Sequence, residues 1–148
     1  DWIKSRPHMQ VKWTLHDCWS FTGHCAHFTY ARCDRWQTQC HDCPQKAKYP
    51  KSLLADNSKT NYRRKRQAFC GVKDLTLITP SAWLGNLVKQ SYLKEYAVEV
   101  RHNTIDLSVF RPTPGTFRQD KGLENKKIIL IHNLMAIQAE HQWTVCTA

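Results

Sequence analysis

Two groups of residues in this chain have the types and the spacing to do chemistry, and they lie side by side. His16 and Asp17 follow directly on an alternating stretch in which Val11, Trp13 and Leu15 share one face. A histidine at the carboxyl end of a strand is a natural place for chemistry, because ligands of open α/β sheets bind there. Asp17 has the choice of orienting the imidazole or capping a turn. Just beyond, Cys25, Cys33, Cys40 and Cys43 are spaced C-x7-C-x6-C-x2-C. The C-x2-C half lets two thiolates reach one ion from a tight turn, and the other two complete a tetrahedron. Zinc is the ion that suits such a set, held as a structural site. His24, His27 and His41 are close enough in sequence to replace one cysteine, and two disulfides or reduced thiols are the alternatives. Cys18, Cys70 and Cys146 are expected as buried apolar fillers.

The elements that must position these groups follow from periodicity and punctuation. Residues 1–9 read as the end of a helix closed by Pro7, and Gln10 to Leu15 as a strand. His16 to Leu54 is a long cysteine-rich loop, and loops of that length are uncommon unless functional or pinned. Asp56, Asn57 and Ser58 can cap a helix running to about Phe69, with Gly71 as its stop. Asp74 to Thr79 predicts a second strand. Ser81 caps a helix whose Leu84, Leu87, Val88 and Tyr92 share a face. Ala97 to Arg101 predicts a third strand and Lys127 to His132 a fourth. Strand, helix, strand, helix, strand implies parallel pairing in an α/β sheet.

At 148 residues the chain is one ordinary domain or a piece of a larger one, and 41% hydrophobic residues rule out global disorder. No apolar run approaches the roughly 18 residues of a membrane span. Asp1-Trp2-Ile3-Lys4 has no signal-peptide pattern. The expected place is therefore the cytoplasm, a reducing compartment where clustered cysteines favour metal or free thiols over disulfides. The formal net charge of +10 predicts attraction to polyanions. Arg63-Arg64-Lys65-Arg66 is the densest basic run, either a solvated face or a contact for anionic lipid.

Five segments carry a resemblance: W-T-L-H-D-C-W-S-F-T-G-H-C from Trp13, C-D-R-W-Q-T-Q-C-H-D-C-P from Cys33, Y-P-K-S-L from Tyr49, T-P-S-A-W-L from Thr79, and H-N-T-I-D-L-S-V-F-R-P from His102. In that order they resemble bacterial family-4-type glycosyltransferases of the GT-B architecture, above all those of capsular, colanic-acid and other exopolysaccharide synthesis. The resemblance spans roughly Val11 to Leu130. It implies a partial Rossmann-like parallel sheet with a long Cys-rich loop. Residues 1–101 would be the second half of the acceptor domain, 102–126 the inter-domain linker, and 127–148 the start of an atypical, truncated donor domain.

The resemblance also implies a nucleotide-sugar donor, a polysaccharide or lipid-linked sugar acceptor, and retention at the transferred carbon. His16 would lie beside the transferred sugar and the donor phosphate, with Asp17 as its catalytic neighbour. Trp19, Phe21, Thr22 and Gly23 would line the acceptor site, with core packing as their other fate. A lipid-linked acceptor would bring the basic helix to the inner face of the membrane.

The chain departs from the family pattern at His102, where proline is usual, and at Thr104, where glycine is usual. The Gly-rich loop and the donor-gripping glutamates of such enzymes are not in it, so it is expected to be an incomplete enzyme, inactive alone. The rival expectation is a zinc-stabilised, basic nucleic-acid-binding module. Against it, the basic residues are not interleaved with the cysteines as in a finger, so no nucleic-acid partner is expected.

Overall fold

The computed structural model describes residues 2–52 and 54–127. The fourth strand expected at Lys127–His132 (Lys127 apart) and Cys146 lie outside them. The chain divides into two units, Asp1–Thr104 and Ile105–Ala148, and each has its own account.

In the first unit three parallel strands lie in the order β1 (Val11–Thr14), β2 (Leu75–Thr79), β3 (Ala97–Val100). Val11 pairs with Leu75 and Thr14 with Ile78, while Thr76 pairs with Ala97 and Thr79 with Val100. Pairing runs on past β1, because the Leu15 N–H donates to the Ile78 carbonyl at 2.8 Å. The central strand is buried at Leu75, Leu77, Ile78 and Thr79, as a strand covered on both faces must be. The outer strand β1 alternates half-buried Val11 and Trp13 with exposed Lys12 and Thr14. The unit is thus an α/β fold with a parallel sheet.

Helix α1 (Ser58–Phe69) is almost all polar, and its buried residues are Ser58 and Tyr62. Its entry is fixed by Asp56, whose Oδ1 accepts the Ser58 N–H at 2.9 Å. Its exit is Gly71, at φ +82°, a conformation that glycine adopts without strain. Helix α2 (Ala82–Val88) begins as expected, with the Ser81 Oγ accepting the Leu84 N–H at 3.3 Å.

Two expectations fail locally. Residues 2–9 form turns rather than a helix end, with Arg6 N–H on Ile3 O and Met9 N–H on Arg6 O, each at 3.0 Å. A residue before proline is steered away from the helical region, and here the Arg6 guanidinium instead stacks on the Trp2 ring at 3.9 Å. Helix α2 also stops before Tyr92. The Ser91 Oγ donates to the Val88 carbonyl at 2.7 Å and accepts the Leu93 N–H at 3.1 Å, the side-chain competition by which serine ends helices. Tyr92 then turns away, its hydroxyl donating to the Ser20 carbonyl at 2.5 Å and its ring meeting Tyr62 edge-on at 5.0 Å.

In the second unit the Asp106 carboxylate accepts the Ser108 N–H at 2.8 Å and fixes a turn. Phe117–Asp120 is a four-residue helix, α3, within the stretch read as a linker. No helix among the described residues is long and apolar enough to cross a membrane.

Candidate functional site

The carboxyl ends of the strands are where sequence reasoning places the chemistry, and His16 stands there. Leu15 before it and Cys18 after it are 3% and 0% exposed, so the chain is anchored on both sides while His16 projects exposed between them. Asp17 is half-buried, and its Oδ1 accepts the Trp19 N–H at 2.8 Å. That bond opens a 3-10 turn at Trp19–Phe21, so the carboxylate acts as a cap. Along the same carboxyl edge, past the ends of β2 and β3, the His102 ring lies 2.8 Å from the Pro80 carbonyl.

The residues after Asp17 part company. Phe21 and Thr22 are 0% exposed. Phe21 packs on Phe28 and Trp36 with centroids 6.5 and 5.5 Å away, and Phe28 stacks on Trp36 at 4.6 Å. The Thr22 hydroxyl donates to the Cys25 carbonyl at 2.5 Å. Both are core residues of the loop. Trp19 and Gly23 instead border a pocket of about 240 Å³, together with His24, Pro50, Asn61, Arg64 and Lys65. His16 is not among its walls. The His24 Nε2 is buried without a hydrogen-bond partner.

Lys65 is the residue that the sequence misplaced. It sits in the middle of the basic run, yet its ammonium folds inward. It donates to the Trp19 carbonyl at 2.7 Å and to the Thr22 carbonyl at 3.0 Å, and it lies 3.5 Å from the centre of the Trp19 ring. Burial pushes its pKa down to about 8, against the opposing pull of Cys40 and Asp17. Arg63, Arg64 and Arg66 remain exposed. One face of the Trp19 ring is therefore covered by a cation.

The four spaced cysteines converge. Cys25, Cys33, Cys40 and Cys43 all line one small cavity with Phe28, Trp36 and Arg35. Burial pushes the Cys25 thiol up to about 12 and the Cys40 thiol up to about 11, and each is raised further by the other thiols of the set. All six described cysteines are free thiols, Cys18 buried and Cys70 half-buried, so the disulfide alternative is not formed. Among the described residues no three His, Cys, Asp or Glu side chains are set as they stand to hold a metal ion.

The loop is pinned by groups other than metal. The Tyr62 hydroxyl donates to the Trp36 carbonyl at 3.0 Å. The Gln45 amide donates to the His27 carbonyl at 2.8 Å. Arg35 donates to the carbonyls of His41 and Asp42, and the Asp56 Oδ2 accepts the Cys43 N–H at 2.7 Å. Spacing in the sequence does not point to Tyr62, Gln45 and Asp56 in this role, because each reaches across the fold.

With this geometry in view, one comparison is informative. The chain is 42% identical over 64 residues to a protein of Escherichia coli (strain K12) provisionally named colanic acid biosynthesis glycosyl transferase WcaC. The match takes in 43% of this chain and 15% of the relative's length. The similarity is therefore to part of a glycosyl transferase. No protein-family model matches the chain, and no solved structure matches it significantly.

Proposed function

We propose that this chain is part of a family-4-type, GT-B glycosyltransferase that moves a hexose from a nucleotide-sugar donor to a polysaccharide or lipid-linked sugar acceptor. The carrying observation is the 42% identical stretch shared with a protein named as a glycosyl transferase. Residues 1–101 would supply a Rossmann-like half of the acceptor domain, 102–126 the linker, and 127–148 the start of a donor domain. The parallel sheet with His16 exposed at its carboxyl edge supports this reading, since that edge is where such sheets take ligands.

In the reaction His16 would donate a hydrogen bond to the transferred sugar, or to the phosphate as charge grows on it. Asp17 would hold the 3-10 turn beside it. Trp19 and Gly23, on the wall of the Lys65 pocket, are the acceptor-side candidates that remain once Phe21 and Thr22 are assigned to the core. Arg63, Arg64 and Arg66 would meet the anionic surface carrying a lipid-linked acceptor at the cytoplasmic face, each worth about 1 kcal/mol there.

The test is turnover. A longer gene product that joins this segment to a donor domain is expected to release nucleotide from a nucleotide-sugar in the presence of a lipid-linked glycan. The 148-residue chain alone is expected to release none. Salt-sensitive binding to an oligonucleotide, with no sugar transfer by the longer product, would instead favour the nucleic-acid-binding module.

A further inference from the structure

Cys25 and Cys33 lie far enough from the C-x2-C pair in sequence that a turn alone does not bring the set together, yet Cys25, Cys33, Cys40 and Cys43 share one cavity of about 10 Å³. That is room for about one water-sized sphere. Phe28 and Trp36 form its apolar wall, so water gains little there. We propose that Cys25, Cys33, Cys40 and Cys43 bind a single zinc ion as a four-thiolate structural site that locks the loop between β1 and α1.

Three features of the surroundings support such a site. The Gly23 N–H, itself buried, donates to the Cys40 Sγ at 3.2 Å. Backbone donors aimed at sulfur stabilise its anionic form. Asp42, inside the C-x2-C turn, takes φ +43°, a left-handed conformation that aspartate tolerates better than most residues. It folds the turn so that Cys40 and Cys43 face the same cavity. The charge is also matched. Arg35 is on the cavity wall, and half-buried Lys65 lies within electrostatic reach of Cys40 and Cys25.

Binding would replace four S–H bonds by four Zn–S bonds. Four protons pass to solvent, no electron moves, and the site keeps two negative charges, which Arg35 and Lys65 offset. Soft thiolates in a tetrahedral set select zinc or iron–sulfur centres, and zinc is the ion of closed four-cysteine structural sites. With four thiolates the ion has no open position, so His24 and His41 stay outside the set. The role would be to hold the loop that presents His16. It goes beyond sugar transfer, and its test does not depend on activity.

The whole chain, purified under reducing conditions from zinc-supplied cells, is expected to carry about one zinc per molecule by elemental analysis. Cobalt(II) in its place is expected to give the visible absorption of a tetrahedral thiolate complex. Cys43→Ser is expected to weaken zinc binding by more than the about 10–100-fold typical of a merely supporting residue. Cys70→Ser removes a thiol whose S–H points at the Tyr92 carbonyl 3.4 Å away, and it is expected to keep the metal. A folded, reduced chain that neither contains nor takes up zinc would overturn the proposal. So would a coloured iron centre, or a Cys43→Ser chain with unchanged zinc affinity.

Discussion

Replacing His16 by alanine in the longer enzyme is expected to lower kcat about 10²–10³-fold, the usual cost of removing one hydrogen-bond donor to developing charge, while leaving the melting temperature where it was. The two halves of that result have separate causes. His16 is exposed, and the packing that holds its backbone comes from Leu15 and Cys18 on either side. Losing the imidazole therefore leaves no cavity and no orphaned partner. On the proposed function, what is lost is an interaction that strengthens as charge collects on the leaving phosphate, so kcat and kcat/KM are expected to fall together while KM barely moves. Steady-state kinetics and a thermal melt of both proteins check the prediction. A variant that melts far lower would show His16 to be structural.

Gly23→Ala should do the reverse, with a large loss of stability. A Cβ at this position would lie 2.1 Å from the Ser58 carbonyl oxygen, 2.8 Å from its carbon and 2.7 Å from the Cys40 Cβ. Two of these atoms are backbone at the start of α1, and the third belongs to a buried cysteine, so nothing nearby can swing aside. Ordinary overpacking costs about 1–3 kcal/mol. Here the helix and the loop must separate, and a cost at or above the top of that range is expected, a fall of roughly 10 °C in melting temperature for a chain of this size. Denaturant unfolding of parent and variant measures it. A variant as stable as the parent would mean that α1 and the loop are not packed as described. The glycine thus serves first to let α1 and the cysteine loop touch, whatever it also offers an acceptor.

The strands and the starts of both long helices were legible in the sequence because they depend on near neighbours. Val11, Trp13 and Leu15 alternate, Ser81 caps its own helix, and Gly71 ends α1, each within a few residues. Tyr92 was misassigned because its helical spacing continues past Ser91, whose hydroxyl breaks the helix. The turns at residues 2–9 come with the Arg6 guanidinium stacked on the Trp2 ring, a contact that periodicity does not report.

The same divide runs through the candidate site. His16, Asp17 and the four spaced cysteines were visible as residue types at telling positions. Their partners were not. Lys65 looked like one charge among four, and only the fold shows it turned inward beneath Trp19. Tyr62, Gln45 and Asp56 hold the loop from 13 to 26 residues away, a range over which spacing carries no signal. Phe21 and Thr22 share the motif with Trp19 and Gly23, and burial alone separates them.

The central claim is that the exposed imidazole after β1 belongs to a sugar-transfer site. A structure of the longer enzyme with its nucleotide-sugar bound tests this most directly. The account predicts a His16 ring nitrogen about 3 Å, ordinary hydrogen-bond distance, from a hydroxyl of the transferred sugar or an oxygen of the donor phosphate. A donor seated with its sugar and phosphates out of reach of that ring would contradict it.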